Sequence, residues 1–487
     1  MKRKGKMRKL VRKYKLLNDE FKASIWYTIS NIFQKAAPWL IMIILTHMVS
    51  STEYGMYSIY MSWVEIVEIL VTLRIYSNGF VAGLVRNNER KDEYTATIEK
   101  ISIILVTVWV IIAIALRKYI CDWISLDERL IVFMILSFYG TISFGIWDSR
   151  QRVENQYKKI LLATFFYSIL GPVIGALSVF LNLENKIIYV VAIRTIIQLV
   201  VSIPFCYSNI RGSLKAFDKY FAIDAIKYNL PLIPYYLSMV LLNSSDKIMI
   251  QKIYSYEEAA LYSVAYSISM MIFIVSGALN LSIQPWLFKR LKNNENTKNT
   301  AFLKISTILV SVCFLFIVII APELIAIIGG EKYMTAIWVM PPLILSVLVM
   351  FIYQQFVNVL FYYKKTNIIL FVSILAAILN IILNSIVIPI YGFIAAGYTT
   401  LFSYIIVMLL YYVFMKKICL KNKINMKNTF DIKFQSLVLS IMIFLFIIIV
   451  LLYKAMNARY AILIISLFIL FIKKNYIIEV LRGLKNE

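Results

Sequence analysis

Long apolar runs separated by short polar, mostly basic segments set the pattern of this chain. Fourteen runs reach the roughly 20 residues that an α-helix needs to cross a bilayer: 24–48, 56–84, 96–116, 130–149, 160–181, 187–207, 222–251, 258–286, 301–325, 334–362, 367–389, 392–415, 434–453 and 455–472. They predict an all-α integral membrane protein of about fourteen transmembrane helices. Pro38, Pro231, Pro234 and Pro285 fall inside runs, where neighbouring helices can re-satisfy the freed backbone.

Lys and Arg alternate between the two sets of loops. With the N-terminus inside, segments 1–23, 85–95, 150–159, 208–221, 287–300, 363–366, 416–433 and 473–487 carry most of them. The opposite loops hold few, among them Arg117, Lys118, Arg129, Lys186, Lys252, Lys332 and Lys454. This is the positive-inside pattern, with both termini cytoplasmic. A missed span would invert the alternation after it, so the charges check the helix count. The basic start, residues 1–23, is no signal peptide: the following apolar run is too long and no small-residue cleavage site closes it.

Composition agrees. Of 487 residues, 61% are hydrophobic and 16% charged, against about 25% charged in soluble domains. The formal net charge of +25 reads as orientation and attraction to anionic lipid, not nucleic acid. Cys121, Cys206, Cys313 and Cys419 are far apart and lack metal-site spacing, so neither a disulfide nor a metal site is expected. His47, at the end of the first run, reads as structural or interfacial. The loops leave no room for a soluble catalytic domain. Gly329-Gly330-Glu331-Lys332 lacks the strand–helix context of a phosphate loop, and no cofactor motif is present.

The chain repeats itself. Ser50/Ser255, Glu53/Glu258, Tyr57/Tyr262 and Ser58/Ser263 recur at one offset, each set joining one span to the next on the same side. Six spans separate the copies, so the repeat is parallel. It predicts two six-helix lobes around a central cavity, 24–207 and 222–415, joined by a linker, 208–221. A C-terminal segment, 416–487, carries two extra helices and a tail. Two like lobes rocking against each other suggest alternating-access transport.

Ionisable groups within spans mark the candidate site, because burying one in lipid costs roughly 2.5–3.5 kcal/mol. Thr28, Asn31 and Lys35 share one face of the first helix. Arg74 lies in the second span, Arg194 in the sixth, and Asp246 and Lys247 in the seventh. The candidate substrate-binding set is Lys35, Arg74, Arg194, Lys247 and Asn31: clustered cations call for an anionic ligand, and Arg suits phosphate. The competing account for Lys247 is snorkelling to the interface. Glu65 and Glu68, at i and i+3, and Asp246 are candidates for ion coupling; a structural ion pair with Lys35 or Arg74 is the alternative for the two glutamates. Gln354, Gln355, Asn358, Asn380 and Asn384 are expected to bond between helices.

A family resemblance follows from particular stretches. Asn229-Leu-Pro-Leu-Ile-Pro-Tyr-Tyr-Leu-Ser238, Asp246-Lys-Ile-Met-Ile250 and Ala260-Leu-Tyr-Ser-Val-Ala-Tyr266 resemble the seventh and eighth helices of Wzx-type polysaccharide flippases, within the multidrug/oligosaccharidyl-lipid/polysaccharide exporter superfamily. Glu53-Tyr-Gly-Met-Tyr57 looks like the matching first-lobe loop. Asn380-Ile-Ile-Leu-Asn384, Ile388-Pro-Ile-Tyr-Gly392, Ala395-Ala-Gly-Tyr-Thr-Thr400 and Ser403-Tyr404 are similar to the eleventh and twelfth helices. Ala260 stands where the family usually has Gly. The resemblance implies a two-lobed transporter that flips undecaprenyl-pyrophosphate-linked repeat units for O-antigen, capsule or exopolysaccharide. It implies that Lys35 and Arg74 meet the pyrophosphate, and that the protein works in the bacterial inner membrane beside a polysaccharide polymerase and glycosyltransferases. Three alternatives remain: a multidrug cation antiporter, which an acidic cavity would favour; a peptidoglycan-precursor flippase; and a membrane polymerase or ligase, which needs a large outer loop.

Overall fold

The computed structural model describes residues 19–472 apart from 182, 215–216, 294–299 and 426–428. The basic start 1–18 and the tail 473–487 therefore lie outside the described residues. So do some side chains at the two ends of the described chain, among them Thr28, Asn31 and Lys35.

Helix follows helix throughout. The chain divides into two compact units, Met1–Tyr236 and Leu237–Glu487. In the first unit the helices are α1 (Asp19–Met48), α2 (Ser51–Thr72), α3 (Asn78–Arg86), α4 (Lys91–Ala115), α5 (Arg117–Ile124), α6 (Glu128–Val153), α7 (Tyr157–Thr164), α8 (Gly171–Leu177), α9 (Lys186–Ile210) and α10 (Lys219–Asn229). Next, α11 (Ile233–Ile253) crosses the unit boundary. The second unit continues with α12 (Tyr256–Ser269), α13 (Met271–Asn293), α14 (Ala301–Ile319), α15 (Ala321–Ile328), α16 (Met340–Tyr362), α17 (Thr366–Tyr391), α18 (Ile394–Lys421), α19 (Ile432–Leu451) and α20 (Met456–Ile472).

All fourteen expected apolar runs are built from helix, and among the described residues ten helical stretches are long and apolar enough to cross a membrane. Some runs are not single rods. The second bends between α2 and α3, where Leu73 and Arg74 hold positive φ angles of 51° and 47°. The seventh is interrupted at Leu230–Leu232, where Pro231 removes a backbone donor. The fifth carries a π-helical turn at Phe165–Leu170, between α7 and α8. Pro38, Pro204 and Pro285 are accommodated within α1, α9 and α13. The His47 ring donates to the Ile43 carbonyl one turn back, at 2.9 Å.

The repeated motif acts as a helix start in both units. Ser50 caps α2, accepting from the Glu53 amide at 3.2 Å, while Glu53 takes the Ser50 amide at 2.9 Å. Ser255 caps α12 and accepts from the Glu258 amide at 3.3 Å. Such caps satisfy donors that a helix end otherwise leaves bare.

Within lipid, helices associate by close packing rather than by a hydrophobic gain. Gly171 and Gly175 on α8 let it press against α9: a Cβ on Gly175 would sit 2.7 Å from the Val190 carbonyl oxygen and 3.0 Å from Arg194 Cβ. In the second unit α16 is buried along nearly its whole length, against α13, α14, α18 and α19. The extra C-terminal helices are tied in by polar contacts. Arg459 Nη1 donates to the Ile319 carbonyl at 2.7 Å, and its Nη2 pairs with Glu323 at 2.9 Å. Lys304 pairs with Asp431 at 2.7 Å.

Candidate functional site

Polar clusters interrupt this apolar packing in each unit. In the first, the bend after α2 presents Arg74. Two consecutive non-glycine residues in the left-handed region cost of order 1–3 kcal/mol each, so the surroundings must hold them. Thr72 Oγ1 accepts the Arg74 amide at 3.1 Å, the Ser77 hydroxyl donates to the Arg74 carbonyl at 2.7 Å, and Ser149 Oγ donates to the Tyr76 carbonyl at 3.0 Å. The Arg74 guanidinium lies over the Tyr236 ring at 5.3 Å, and its Nε is buried with no partner. Below it, Tyr76 donates its hydroxyl to Glu68 on α2.

Arg194 projects from α9, where its Nη1 donates to the Tyr57 hydroxyl at 3.2 Å and to Met61 Sδ at 2.7 Å. Among the described residues, no carboxylate forms an ion pair with Arg74 or Arg194. Tyr167, in the π-helical turn, lies within electrostatic reach of both Arg194 and Glu68. In the first unit each of the three charged groups thus meets a tyrosine: Glu68 meets Tyr76, Arg74 meets Tyr236 and Arg194 meets Tyr57. Glu65 is exposed, while Glu68 is half-buried. Asn31 and Lys35 sit on α1, with side chains outside the described residues.

In the second unit Asp246, on α11, is fully buried. It accepts from Tyr262 at 2.5 Å, Thr400 at 2.6 Å and Asn384 at 2.5 Å. Asn380 extends the network, taking Ser245 Oγ at 3.1 Å and Asn384 Nδ2 at 3.2 Å, and Thr399 donates to Asn384 Oδ1. Four helices, α11, α12, α17 and α18, thus converge on one carboxyl, and among the described residues no basic side chain pairs with it. Next along α11, Lys247 turns to the Tyr266 ring at 4.7 Å. Asn243 Oδ1 accepts from Tyr266 at 3.2 Å and Tyr404 at 3.3 Å.

Asn380 and Asn384 bond between helices as their spacing suggested: Asn384 donates to Asp246, and Asn380 meets Ser245 and Thr400. No site role was legible in the sequence for Tyr57 or Tyr236, named in motifs alone, or for Tyr76 and Tyr167, because one tyrosine among 33 carries no mark of an interior position. Thr399 and Thr400 also escaped. Their signal was adjacency to the Asn380/Asn384 pair through a short loop.

The fold is that of a multi-pass helical membrane protein with polar clusters buried in its bundle. The chain belongs to the polysaccharide biosynthesis protein family, whose profile matches residues 21–291. It is 23% identical over 378 residues to a protein of the Lsg locus of Haemophilus influenzae, covering 74% of this chain and 89% of that one. Its fold is similar to that of the lipid II flippase MurJ in an inward closed conformation, with a TM-score of 0.66 and 16% identity over 93% of this chain and all of that one. It is also similar to an inward-facing MATE-family multidrug resistance transporter of the MOP superfamily, with a TM-score of 0.62 and 11% identity over 79% of this chain and 94% of that one.

Proposed function

We propose that this protein is a flippase for undecaprenyl-pyrophosphate-linked oligosaccharide repeat units, moving them from the cytoplasmic to the outer leaflet by alternating access. The observation that carries the reading is Arg194: a partly buried cation held by a tyrosine hydroxyl and a thioether, with no carboxylate paired to it among the described residues. A cation so placed favours an anionic visitor, and a guanidinium can grip two phosphate oxygens at once. Arg74, cradled on a strained bend with a buried Nε that has no partner among the described residues, supplies a second such group. Lys35, Asn31 and Lys247 are assigned by the same reading to the path of the head group. Family membership supports a substrate from polysaccharide assembly. O-antigen, capsule and exopolysaccharide precursors share the same phosphate chemistry, and a polymerase and glycosyltransferases are the partners that this chemistry calls for.

Asp246 is the proposed coupling site. Its oxygen-rich surroundings, with Asn380, Asn384, Thr399 and Thr400, suit a proton or a hard monovalent cation, which would neutralise the carboxyl and allow the helices to repack. Glu68, bonded to Tyr76 beside Arg74, and Glu65 are secondary candidates. The basic-loop pattern supports halves 24–207 and 222–415 in a bacterial inner membrane with cytoplasmic termini.

One observation favours a second reading. A buried acid without a basic partner also serves cation exchange, so a multidrug antiporter is the competitor. A binding measurement separates the two. Purified protein titrated with a polyprenyl-pyrophosphate glycan should bind it and lose most of that affinity in Arg194→Met. Equal binding by both proteins, together with tight binding of lipophilic cations, would refute the flippase reading.

A further inference from the structure

A second buried acid lies in the first unit, away from the arginine cluster. Glu99 on α4 is 0% exposed. Its partners come from α6 and α9: Ser143 donates its hydroxyl to Oε1 and Asn209 Nδ2 donates to Oε2 at 3.0 Å, with the Cys206 thiol beside the carboxyl. Asn209 also donates to the Ser143 carbonyl at 3.0 Å, while its own Oδ1 is buried with no partner.

The chemistry of these partners is unusual for the unit. Most of its other carboxylates face arginine: Asp92 and Glu154 meet Arg150, Glu93 and Asp218 meet Arg90, Asp148 meets Arg152, and Asp224 meets Arg86. Guanidinium can only donate, so it locks a carboxylate in the ionised form. A hydroxyl, a thiol and a carboxamide can each donate or accept. When Glu99 is ionised, all three can donate to it. When it carries a proton, Ser143 or Cys206 can turn to accept, or the vacant Asn209 Oδ1 can take the acid hydrogen after an amide flip. The network is satisfied either way, whereas an ionised carboxyl alone in an apolar interior is costly.

Among the described residues, the charged neighbours are engaged elsewhere. Lys100 reaches the carbonyls of Ser213 and Leu214, and Arg150 is held by Asp92 and Glu154. Cys206 is the titratable side chain in contact with Glu99. Asp92 lies seven residues before Glu99 on α4, and Arg150 seven after Ser143 on α6. That is two turns, or about 10 Å, from the ion-paired end of the unit, which gives a short route for a proton.

We infer that Glu99, with Ser143, Cys206 and Asn209, forms an exchangeable proton-binding site in the first unit, distinct from Asp246. It differs in kind from the phosphate-seeking arginines and stands whether or not the transport reading holds, because it concerns proton occupancy and not cargo. Packing of α4, α6 and α9 around one carboxyl makes its occupancy a local switch: release of the proton turns the hydrogen bonds from Ser143 and Asn209 into charge-assisted ones where three helices meet.

Infrared pH-difference spectroscopy on the reconstituted full-length protein tests this directly. The wild type should show the carbonyl stretch of a protonated carboxyl that disappears as pH rises. Glu99→Gln should lose that band, and Asp246→Asn should keep it. Ser143→Ala, which removes one hydrogen bond but keeps the acid, should shift the band in frequency; it serves if Glu99→Gln does not fold. A wild-type spectrum identical to that of Glu99→Gln at every pH overturns the inference, as does a band that Ser143→Ala leaves unmoved.

Discussion

Tyr57 and Tyr262 occupy the same place in two copies of a capped helix, yet they meet opposite charges. Tyr57 accepts from the Arg194 guanidinium at 3.2 Å, whereas Tyr262 donates to the Asp246 carboxylate at 2.5 Å. The repeat has thus kept its helix start and its hydroxyl while the interior charge it serves has changed sign.

This asymmetry predicts unequal costs for the same change. Tyr57→Phe leaves Arg194 bonded to Met61 and should cost about 0.6 kcal/mol, the typical worth of one hydrogen bond between membrane helices. Tyr262→Phe strips a donor from a fully buried carboxyl and should cost about 1–3 kcal/mol. Thermal unfolding in detergent checks this: Tyr262→Phe should melt clearly below Tyr57→Phe.

The Arg194 contacts predict a graded loss of phosphate binding. Arg194→Lys keeps the charge but loses the planar fork, and should weaken binding of a pyrophosphate lipid several-fold. Arg194→Met removes the charge-assisted bonds, each worth about 1.5–3 kcal/mol, and should weaken it by one to two orders of magnitude. Titration of the purified variants in nanodiscs reads both effects.

The bend at Leu73–Arg74 predicts that strain can be relieved without loss of function. Leu73→Gly suits the left-handed backbone and should raise stability by up to about 1 kcal/mol while leaving transport intact. Thr72→Val removes the acceptor of the Arg74 amide and should lower transport at normal expression. Paired melting and export measurements separate these outcomes.

Much of the fold was legible because the bilayer imposes one period and one length on every element. The fourteen apolar runs, the basic loops and the repeated Ser-Glu cap at Ser50 and Ser255 could be read directly. The bend at Arg74 could not, because positive φ at Leu and Arg carries no compositional mark. The site was half legible. Asp246, Arg74 and Arg194 stood out by charge, but their tyrosine, threonine and thioether partners are residue types common on any membrane helix. Glu99 was not singled out, since its burial and its partners arise from α6 and α9, remote in sequence.

The start of helix α10, capped by Asp218, should loosen in acid and in salt. Burial pulls the Asp218 carboxyl up, but the Tyr220 and Phe221 amides and the Arg90 guanidinium outweigh it and hold it below its ordinary value. A depressed carboxyl contributes stability above the unfolded value, about 3.9, and loses it as pH falls through the lower folded value. The Arg90–Asp218 pair, at 2.9 Å and partly exposed, is also screened by salt. Hydrogen exchange across residues 219–229 should be slow at neutral pH and low salt, and faster in Asp218→Asn under the same conditions.

The most direct test is a flipping assay in proteoliposomes loaded with a labelled undecaprenyl-pyrophosphate oligosaccharide, with leaflet exposure read by a glycan-cleaving enzyme outside. The wild type should move the lipid between leaflets, Arg74→Ala and Arg194→Ala should be slowed at least tenfold, and Leu73→Gly should match the wild type. Movement at the wild-type rate in both arginine variants, or none in the wild type, would contradict the account.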